Sequence, residues 1–228
     1  MSWTGRSLGL TSRRWTSRRW TSRGLAGRGL AGRGLTGREL PRRPRPYRVL
    51  VLGGARSGKS VTAERLLATR DRVDYVATGA GPDPGDPEWA ARVRLHQQRR
   101  PAHWATLETR DLERVLAAPD LTARQLATPV LVDCLSTWLA GVMDECGLWS
   151  AAPGADKALA ARVDGLLDAW RVTRRTVVAV SNEVGSGVVP GTASGVRYRD
   201  ELGMLNTRVA AESQQVWLCT AGIPRRLT

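Results

Sequence analysis

The stretch GGARSGKS at residues 53–60 constrains this chain more than any other feature. It fits the phosphate-binding pattern G-x-x-x-x-G-K-[ST], and it follows an apolar run and precedes a helical pattern, the setting that this motif requires. Its three glycines allow the positive φ angles that turn backbone N–H groups towards one point, and the positive end of the next helix dipole points to the same place. The stretch therefore predicts a concave site for a polyphosphate.

Lys59 is one of only two lysines in a chain with 33 arginines. A compact ammonium suits the outer phosphates better than a planar guanidinium, and the hydroxyl of Ser60 suits a magnesium ion. We therefore predict that Lys59 is catalytic and Ser60 is a metal ligand. The predicted nucleotide-binding residues of the loop are Gly53, Gly54, Ala55, Arg56, Ser57, Gly58, Lys59 and Ser60. The alternative is a glycine turn with an incidental lysine, and the complete match in its setting disfavours it.

Strand patterns and helix patterns alternate along the rest of the chain. Strands are predicted in RVDYVATG, HWATLET, PVLVD, RTVVAVSN and a last one in QQVWLCTAG, with helices between them in EWAARVRLHQQRR, RDLERVLAA, CLSTWLAGVM, residues 155–172 and VRYRDELGMLNTRVAAES. This order predicts an α/β fold of the P-loop NTPase type, a single domain with a mostly parallel sheet and helices on both faces. Ligands in such folds lie at the carboxyl ends of the strands.

Most of the net charge of +14 comes from the first 46 residues. They hold twelve arginines and one acid, Glu39, and contribute +11, so residues 47–228 carry only +3. Their repeats predict a disordered, arginine-rich, low-complexity extension before one nucleotide-binding domain over 47–228. We favour a nonfunctional extension from a start assigned too far upstream. The alternative is a basic arm that contacts nucleic acid or membrane, which the interleaved tryptophans at 3, 15 and 20 support.

Two absences in the sequence bear on location. The extension has no apolar run long enough for a signal-peptide core or a membrane span. Cys134, Cys146 and Cys219 form no C-x-x-C pair, so neither zinc nor a disulfide framework is indicated. We expect a cytoplasmic protein with reduced, mostly buried thiols and no membrane span. No nucleic-acid partner is expected, because the domain itself is not strongly basic.

Two further side chains are candidates for chemistry. Asp133 ends the apolar strand PVLVD, where a P-loop fold keeps an acid for magnesium, although an N-cap for the following helix is also credible. His96 lies among arginines in RVRLHQQRRPAHW, which would favour the neutral, nucleophilic imidazole and could hold a triphosphate. A lone histidine more often has no chemical role, and composition alone leaves that open. His103 is interpreted as structural.

Two later segments are weaker candidates. The loop SNEVGSGVVP (181–190) follows a buried strand and is in position to line a substrate pocket, but an ordinary connection would look similar. In RYRDELGMLN (197–206), polar residues recur at helical spacing. A solvated helix face is the preferred interpretation there.

Taken in order, these segments resemble the bifunctional adenosylcobinamide kinase/adenosylcobinamide-phosphate guanylyltransferases of cobalamin biosynthesis. The resemblance runs from about Tyr47 to the C-terminus and excludes the first 46 residues. The segments that carry it are GGARSGKS (53–60), YVATG (75–79), RVRLHQQRRPAHWATLE (92–108), LVDCLSTW (131–138), SNEVGSGVVP (181–190), RYRDELGMLN (197–206) and VWLCTAGIP (216–224). The segment AGPDPGDPEW after Gly79 departs from the family by its excess of proline and glycine, and a glutamate is also common where Asp133 stands.

The resemblance implies two Mg²⁺-dependent reactions. A nucleoside triphosphate, ATP or GTP, phosphorylates the aminopropanol hydroxyl of adenosylcobinamide. A histidine, matched by His96, then takes GMP from GTP and passes it to adenosylcobinamide phosphate, giving adenosylcobinamide-GDP. The resemblance also implies a homotrimer with the active site near a subunit boundary. Beyond the P-loop, the implied nucleotide-binding positions are Ala77, Thr78, Gly79, Gln97, Gln98, Arg99, Arg100, Glu108 and Asp133, with Asp133 also implied as a metal ligand.

Three rival functions remain from the sequence. The least favoured is a noncatalytic nucleotide-binding module, because the complete loop, the acidic partner and the histidine in an arginine-rich segment would then all be incidental. A nucleic-acid-stimulated NTPase would hydrolyse nucleotide in a way that depends on residues 1–46 and would form no covalent GMP. A kinase-only enzyme would transfer the γ-phosphate while His96 stays inert.

Overall fold

The structure is a computed structural model that describes residues 47–79, 81 and 85–228, all within one structural unit. The predicted extension over 1–46 lies outside the described residues, as do residues 80 and 82–84 of the linker AGPDPGDPEW. The domain boundary at Tyr47 therefore stays a prediction.

The described residues form one sheet of seven strands. The strands are β1 (Arg48–Gly53), β2 (Asp74–Ala77), β3 (Ala105–Glu108), β4 (Val130–Asp133), β5 (Val177–Asn182), β6 (Gln215–Thr220) and β7 (Ile223–Arg226). Their spatial order is β3-β2-β4-β5-β1-β6-β7. All neighbouring pairs are parallel except β6 and β7. The predicted mostly parallel α/β fold is therefore confirmed.

Helices cover both faces of this sheet. They are α1 (Lys59–Leu66), α2 (Pro87–Arg99), α3 (Leu112–Ala117), α4 (Ala123–Ala127), α5 (Leu135–Glu145), α6 (Ala155–Val172) and α7 (Ala193–Ala211), with a 3₁₀ turn at Leu148–Ser150. Side chains alternate across β4: Val130 and Val132 pack with α3, α5, α6 and α7, whereas Leu131 packs on the other face with Ala63 of α1. This alternation is the period-two pattern of a strand buried on both sides.

The C-terminal region and one short helix differ from the sequence-based prediction. QQVWLCTAG was predicted as the last strand, but β6 ends at Thr220 and turns back into β7. Ala221 and Gly222 both have positive φ, 51° and 82°, as a two-residue hairpin turn requires. Helix α4 was not predicted; a capping box between Thr122 and Gln125 starts it.

The three cysteines are free. Only Cys219 is buried, however, and Cys134 and Cys146 are half-buried, so the expectation of mostly buried thiols was wrong for two of them. Cys134 is half-buried because it lies at the carboxyl end of β4, where a cavity opens. Among the described helices, none combines the length and the apolar character that a membrane crossing needs.

Candidate active site

The loop between β1 and α1 is held in a tight, left-handed shape. Gly58 has φ of 90° and Arg56 has φ of 55°. A Cβ added to Gly58 would lie 3.2 Å from the Cα of Gly222 in the β6–β7 turn, so that turn packs directly on the loop. The Gly222 N–H also donates to the carbonyl of Ser57 at 3.0 Å. The C-terminal hairpin therefore braces the phosphate-binding loop from the side.

Lys59 begins α1 and reaches back over the loop. Its Nζ donates to the carbonyl oxygen of Gly54 at 3.0 Å, and the residue is only 5% exposed. Gly53 ends β1 where no side chain would fit, since an added Cβ would lie 2.3 Å from Ser57 Oγ and 2.7 Å from the carbonyl of Cys219. The ammonium and the loop backbone are thus fixed relative to each other.

Asp133 at the end of β4 faces this loop. Its Oδ1 lies 3.5 Å from Ser60 Oγ, and its Oδ2 accepts a hydrogen bond from the Tyr75 hydroxyl at 2.6 Å. Cys134, not Asp133, occupies the N-cap of α5, so the capping alternative for Asp133 was wrong. The Asp133 carboxylate therefore contacts Ser60 and Tyr75 at the site and does not cap the helix.

Hydrogen bonds determine the charge state of this carboxylate. Burial alone would raise the pKa of Asp133, but hydrogen bonds from His96, Tyr75 and Ser60 outweigh it and lower the pKa below its ordinary value. Burial, and next the adjacent Asp133 charge, raises the pKa of Tyr75 well above its usual range. The pair therefore consists of an ionised carboxylate and a neutral phenol that donates to it.

His96 approaches Asp133 from α2. Its Nδ1 lies 3.3 Å from Asp133 Oδ2, and its side chain is 20% exposed. The two arginines that follow it in the chain contact other groups. Arg99, one helical turn on, pairs with Glu64 at 3.1 Å, and Arg100 stacks over the Tyr75 ring at 3.4 Å from its centroid. The charged group against the imidazole is therefore a carboxylate, which arrives from a distant strand and was not foreseen.

His96 stands between two cavities. The P-loop cleft is lined by Ala55, Arg56, Ser57, Gly58, Lys59, Ser60, Val61, Glu88, Ala91, Leu95, His96 and Arg99. The strand-end cavity is lined by Tyr75, Ala77, Gly79, Gly81, Val93, His96, Gln97, Arg100, Glu108, Asp133, Cys134 and Thr137. Because His96 borders both, its imidazole can contact a group bound in either cavity.

Most of the predicted site residues line one of these two cavities. Four of them, Gly53, Gly54, Thr78 and Gln98, line neither cavity. Gly53 lies against Ser57 and Cys219 at the end of β1. Gly54 contributes its carbonyl to Lys59. Thr78 is buried and donates to the carbonyl of Cys134 at 2.6 Å, which shapes the strand ends. Gln98 is exposed and lines neither cavity. The nucleotide-binding roles of all of them stay predictions.

Sequence reasoning missed several residues of the site. Tyr75 stood inside the segment YVATG, and its spacing of two from Ala77 places both side chains on one face of β2. That spacing was a usable signal. No sequence signal pointed to Glu64 or Gly222. Glu64 contacts Arg99 and Gly222 contacts Ser57, and each contact joins segments far apart in the chain.

The two weaker candidate segments lie elsewhere. No residue of the loop 181–190 lines the P-loop cleft or the strand-end cavity. Gly185 instead borders a separate open groove with Arg199, Asp200 and Gly203 of α7. Asn206, from the same helix, is buried and donates to the carbonyl of Asn182 at 2.9 Å. The preferred interpretation, a solvated helix face, was thus wrong for Asn206.

A P-loop at the first strand of a parallel sheet, with an acid at the end of a neighbouring strand, defines a P-loop nucleotide-binding enzyme. The family model described as cobinamide kinase / cobinamide phosphate guanyltransferase matches residues 49–227. The chain belongs to this family.

Curated relatives agree with that membership. The "Bifunctional adenosylcobalamin biosynthesis protein CobP" of Pseudomonas aeruginosa is 39% identical over 181 residues, covering 79% of this chain and 96% of the relative. The corresponding protein "CobU" of Escherichia coli is 35% identical over 182 residues, covering 77% and 96%. A solved structure described as a prototypical ATPase from the type III secretion system is similar at a TM-score of 0.45 and 13% identity; the match covers 77% of this chain and 51% of that one.

Proposed function

We propose that this enzyme phosphorylates the aminopropanol hydroxyl of adenosylcobinamide and then transfers GMP from GTP, through His96, to adenosylcobinamide phosphate. The observation that carries the proposal is the position of Asp133. One of its oxygens faces the P-loop hydroxyl of Ser60, and the other faces the imidazole of His96. A single carboxylate thus connects the phosphate site with the nucleophile.

The P-loop cleft supplies what phosphoryl transfer needs. Residues 55–60 line this cleft, and backbone N–H groups of the loop with the ammonium of Lys59 would neutralise the charge that develops on the phosphoryl oxygens. In the kinase reaction the substrate hydroxyl oxygen attacks the γ-phosphorus, and the bond to the β-phosphate oxygen breaks. The sequence favours neither ATP nor GTP as the donor of this step.

Ser60 and Asp133 would hold the magnesium ion. Their oxygens lie 3.5 Å apart, at the edge of the cleft, and a hydroxyl with a carboxylate is a donor set that Mg²⁺ accepts while keeping several waters. The bound ion would neutralise charge on the phosphates.

His96 has the geometry of a nucleophile. Because Nδ1 faces the Asp133 carboxylate, we assign the ring proton to Nδ1 and the lone pair to Nε2. Nε2 attacks the α-phosphorus of GTP, an N–P bond forms, and the bond to the pyrophosphate oxygen breaks. Asp133 stabilises the resulting imidazolium charge. A phosphate oxygen of the second substrate then attacks the same phosphorus and Nε2 leaves with its electron pair.

The strand-end cavity is proposed to take the rest of the nucleotide. Its lining includes Ala77, Gly79, Gln97, Arg100 and Glu108, positions that the family resemblance assigns to nucleotide. A carboxylate such as that of Glu108 matches the adjacent N–H donors of guanine, which adenine lacks in that arrangement. This offers a reason for GTP in the second reaction.

The test uses GTP labelled at the α-phosphate, Mg²⁺ and the purified chain, followed by peptide mapping of acid-labile adducts. The proposal expects a GMP adduct on His96 that transfers to adenosylcobinamide phosphate and disappears in His96→Ala. His103→Ala is the matched control, since His103 is the only other histidine and is exposed. Transfer of γ-phosphate without any adduct would leave a kinase alone. GTP hydrolysis without either product would leave an NTPase.

A cytoplasmic homotrimer and an autonomous domain over 47–228 complete the proposal. The edge strand β3, which carries Glu108, has all four residues exposed and offers a surface for subunit contact beside the site. Sedimentation velocity tests the trimer. A variant lacking residues 1–46 should keep both activities, whereas activity that depends on those residues would support the basic-arm alternative.

A further inference from the structure

The hydroxyl of Tyr75 forms a hydrogen bond that can fix the orientation of the Asp133 carboxylate. Tyr75 is in the middle of β2, paired in register with Leu131 of β4, and is 1% exposed. Its hydroxyl donates to Asp133 Oδ2 at 2.6 Å, the shortest of the carboxylate's three side-chain contacts. The other two contacts, to Ser60 at 3.5 Å and His96 at 3.3 Å, are both longer than ordinary hydrogen bonds to carboxylates.

The terminal torsion of an aspartate is soft, so the carboxylate plane is set mainly by its hydrogen bonds. Without the Tyr75 hydroxyl, the two long contacts are the only ones left to hold it among the described side chains. The phenol ring is itself held, because the Arg100 guanidinium stacks on it at 3.4 Å and donates to Thr106 Oγ1 at 3.2 Å. The orienting hydrogen bond therefore comes from a buried phenol that is held in place on β2, the strand beside the edge strand β3.

We propose that Tyr75 is a positioning residue for guanylylation, whose hydroxyl fixes Asp133 so that Oδ1 faces Ser60 while Oδ2 holds the Nδ1–H of His96. The inference rests on the proposed function of His96. Tyr75 acts through Asp133 and takes no part in bond formation. Its effect is on the fraction of His96 rings that present the Nε2 lone pair to the α-phosphorus.

The test compares Tyr75→Phe with Tyr198→Phe. Tyr198 is a matched control because its half-buried hydroxyl also makes one hydrogen bond, to the carbonyl of Ser136 at 3.1 Å, and lines neither cavity. In single-turnover reactions with α-labelled GTP, Tyr75→Phe should slow adduct formation at saturating GTP by about tenfold to a hundredfold. The GTP concentration for half-maximal rate should change by less than about threefold, because the hydroxyl holds no phosphate. Tyr198→Phe should match the wild type.

A second readout needs no turnover. The chain has only two histidines, so ¹⁵N spectra of histidine-labelled protein resolve the His96 ring with His96→Ala as the assignment. The wild type should show the Nδ1–H tautomer, and Tyr75→Phe should show a mixture, whereas Tyr198→Phe should not change it.

Three results would overturn the inference. They are an Nε2–H tautomer in the wild type, an unchanged ring spectrum in Tyr75→Phe, and wild-type adduct rates in that variant. The first needs no variant and overturns the inference even if Tyr75→Phe fails to fold. If the wild type forms no adduct at all, the proposed function fails, and the ring spectra alone still decide whether Tyr75 orients His96.

Discussion

The two walls of the P-loop cleft are built in different ways. On one side, the loop 53–60 is fixed by backbone: positive φ at Arg56 and Gly58, and the packing and hydrogen bond of Gly222. On the other side, α2 presents His96 from a helix in which Ala90 is the only buried residue among the described side chains. Individual side-chain contacts join that helix to the body: Arg99 with Glu64, His96 with Asp133, and a long, exposed pair of Glu88 with Arg56 at 4.0 Å.

The difference suggests that the two walls have different roles, phosphate binding for the loop and placement of the nucleophile for α2. Phosphate binding depends on donors that keep their positions in both reactions, and a backbone loop provides that. The nucleophile serves only one of the two reactions, so its wall needs only a few side-chain contacts to place it. Substitutions in the loop wall should slow both reactions. Substitutions in the α2 wall should slow guanylylation selectively.

The largest effect should come from Lys59→Ala, which removes the ammonium from the loop wall. Both reactions should slow by about a hundredfold to a thousandfold, because one transition-state charge partner is lost. Lys157→Ala is the matched control, since Lys157 is the only other lysine and is exposed on α6. Kinase and adduct assays on both variants check this. A loss confined to one reaction would contradict a shared phosphate site.

Gly222→Ala should have the next largest effect, because it strains the β6–β7 turn that packs against the phosphate-binding loop. Gly222 has φ of 82°, which costs a residue with a Cβ about 1–2 kcal/mol. Gly154→Ala is a close control, because Gly154 also has φ of 82° and open space around it but begins α6, away from the cleft.

Both glycine variants should lose similar unfolding free energy in urea. Only Gly222→Ala should weaken calorimetric GTP affinity, by about fivefold to tenfold if its strain is transmitted to the loop. Equal GTP affinity in the two variants would mean that the hairpin does not support the loop.

Glu64→Gln tests the α2 wall and should have a smaller effect. It breaks the 3.1 Å pair with Arg99, and partly exposed pairs contribute about 1 kcal/mol or less. Adduct formation should slow by about twofold to fivefold with the kinase rate unchanged. Glu212→Gln, which breaks the Arg171 pair at 2.8 Å elsewhere, is the control and should change neither rate. Equal slowing of both reactions by Glu64→Gln would remove the distinction between the walls.

The smallest effect should be a pH-dependent change in stability at Asp133, the residue that contacts both walls. Its folded pKa lies below the ordinary value of 3.8, so its ionised form stabilises the fold above about that pH. That contribution is lost as the pH falls through the lower, folded pKa. The difference in unfolding free energy between wild type and Asp133→Asn, measured in EDTA, should therefore shrink below about pH 3.8. A constant difference would contradict the lowered pKa.

Parts of the site could be predicted because their signals are local. The loop pattern at 53–60 encodes its own backbone shape, and Asp133 was recognisable as the end of an apolar strand. The partner of His96 could not be predicted, since arginines surround it in the chain but α2 turns Arg99 and Arg100 towards Glu64 and Tyr75. The β6–β7 hairpin was missed because Ala-Gly is a weaker turn signal than Asn-Gly or Asp-Gly.

The sequence by itself determined the class of fold, the P-loop and the family of this protein. Those properties follow from the order of strands and helices and from backbone preferences that act over a few residues. Only the tertiary structure decided that Tyr75, His96 and Asp133 meet, and that Gly222 supports Ser57. Contacts between residues so far apart in the chain depend on the order and register of the strands, which no local pattern specifies.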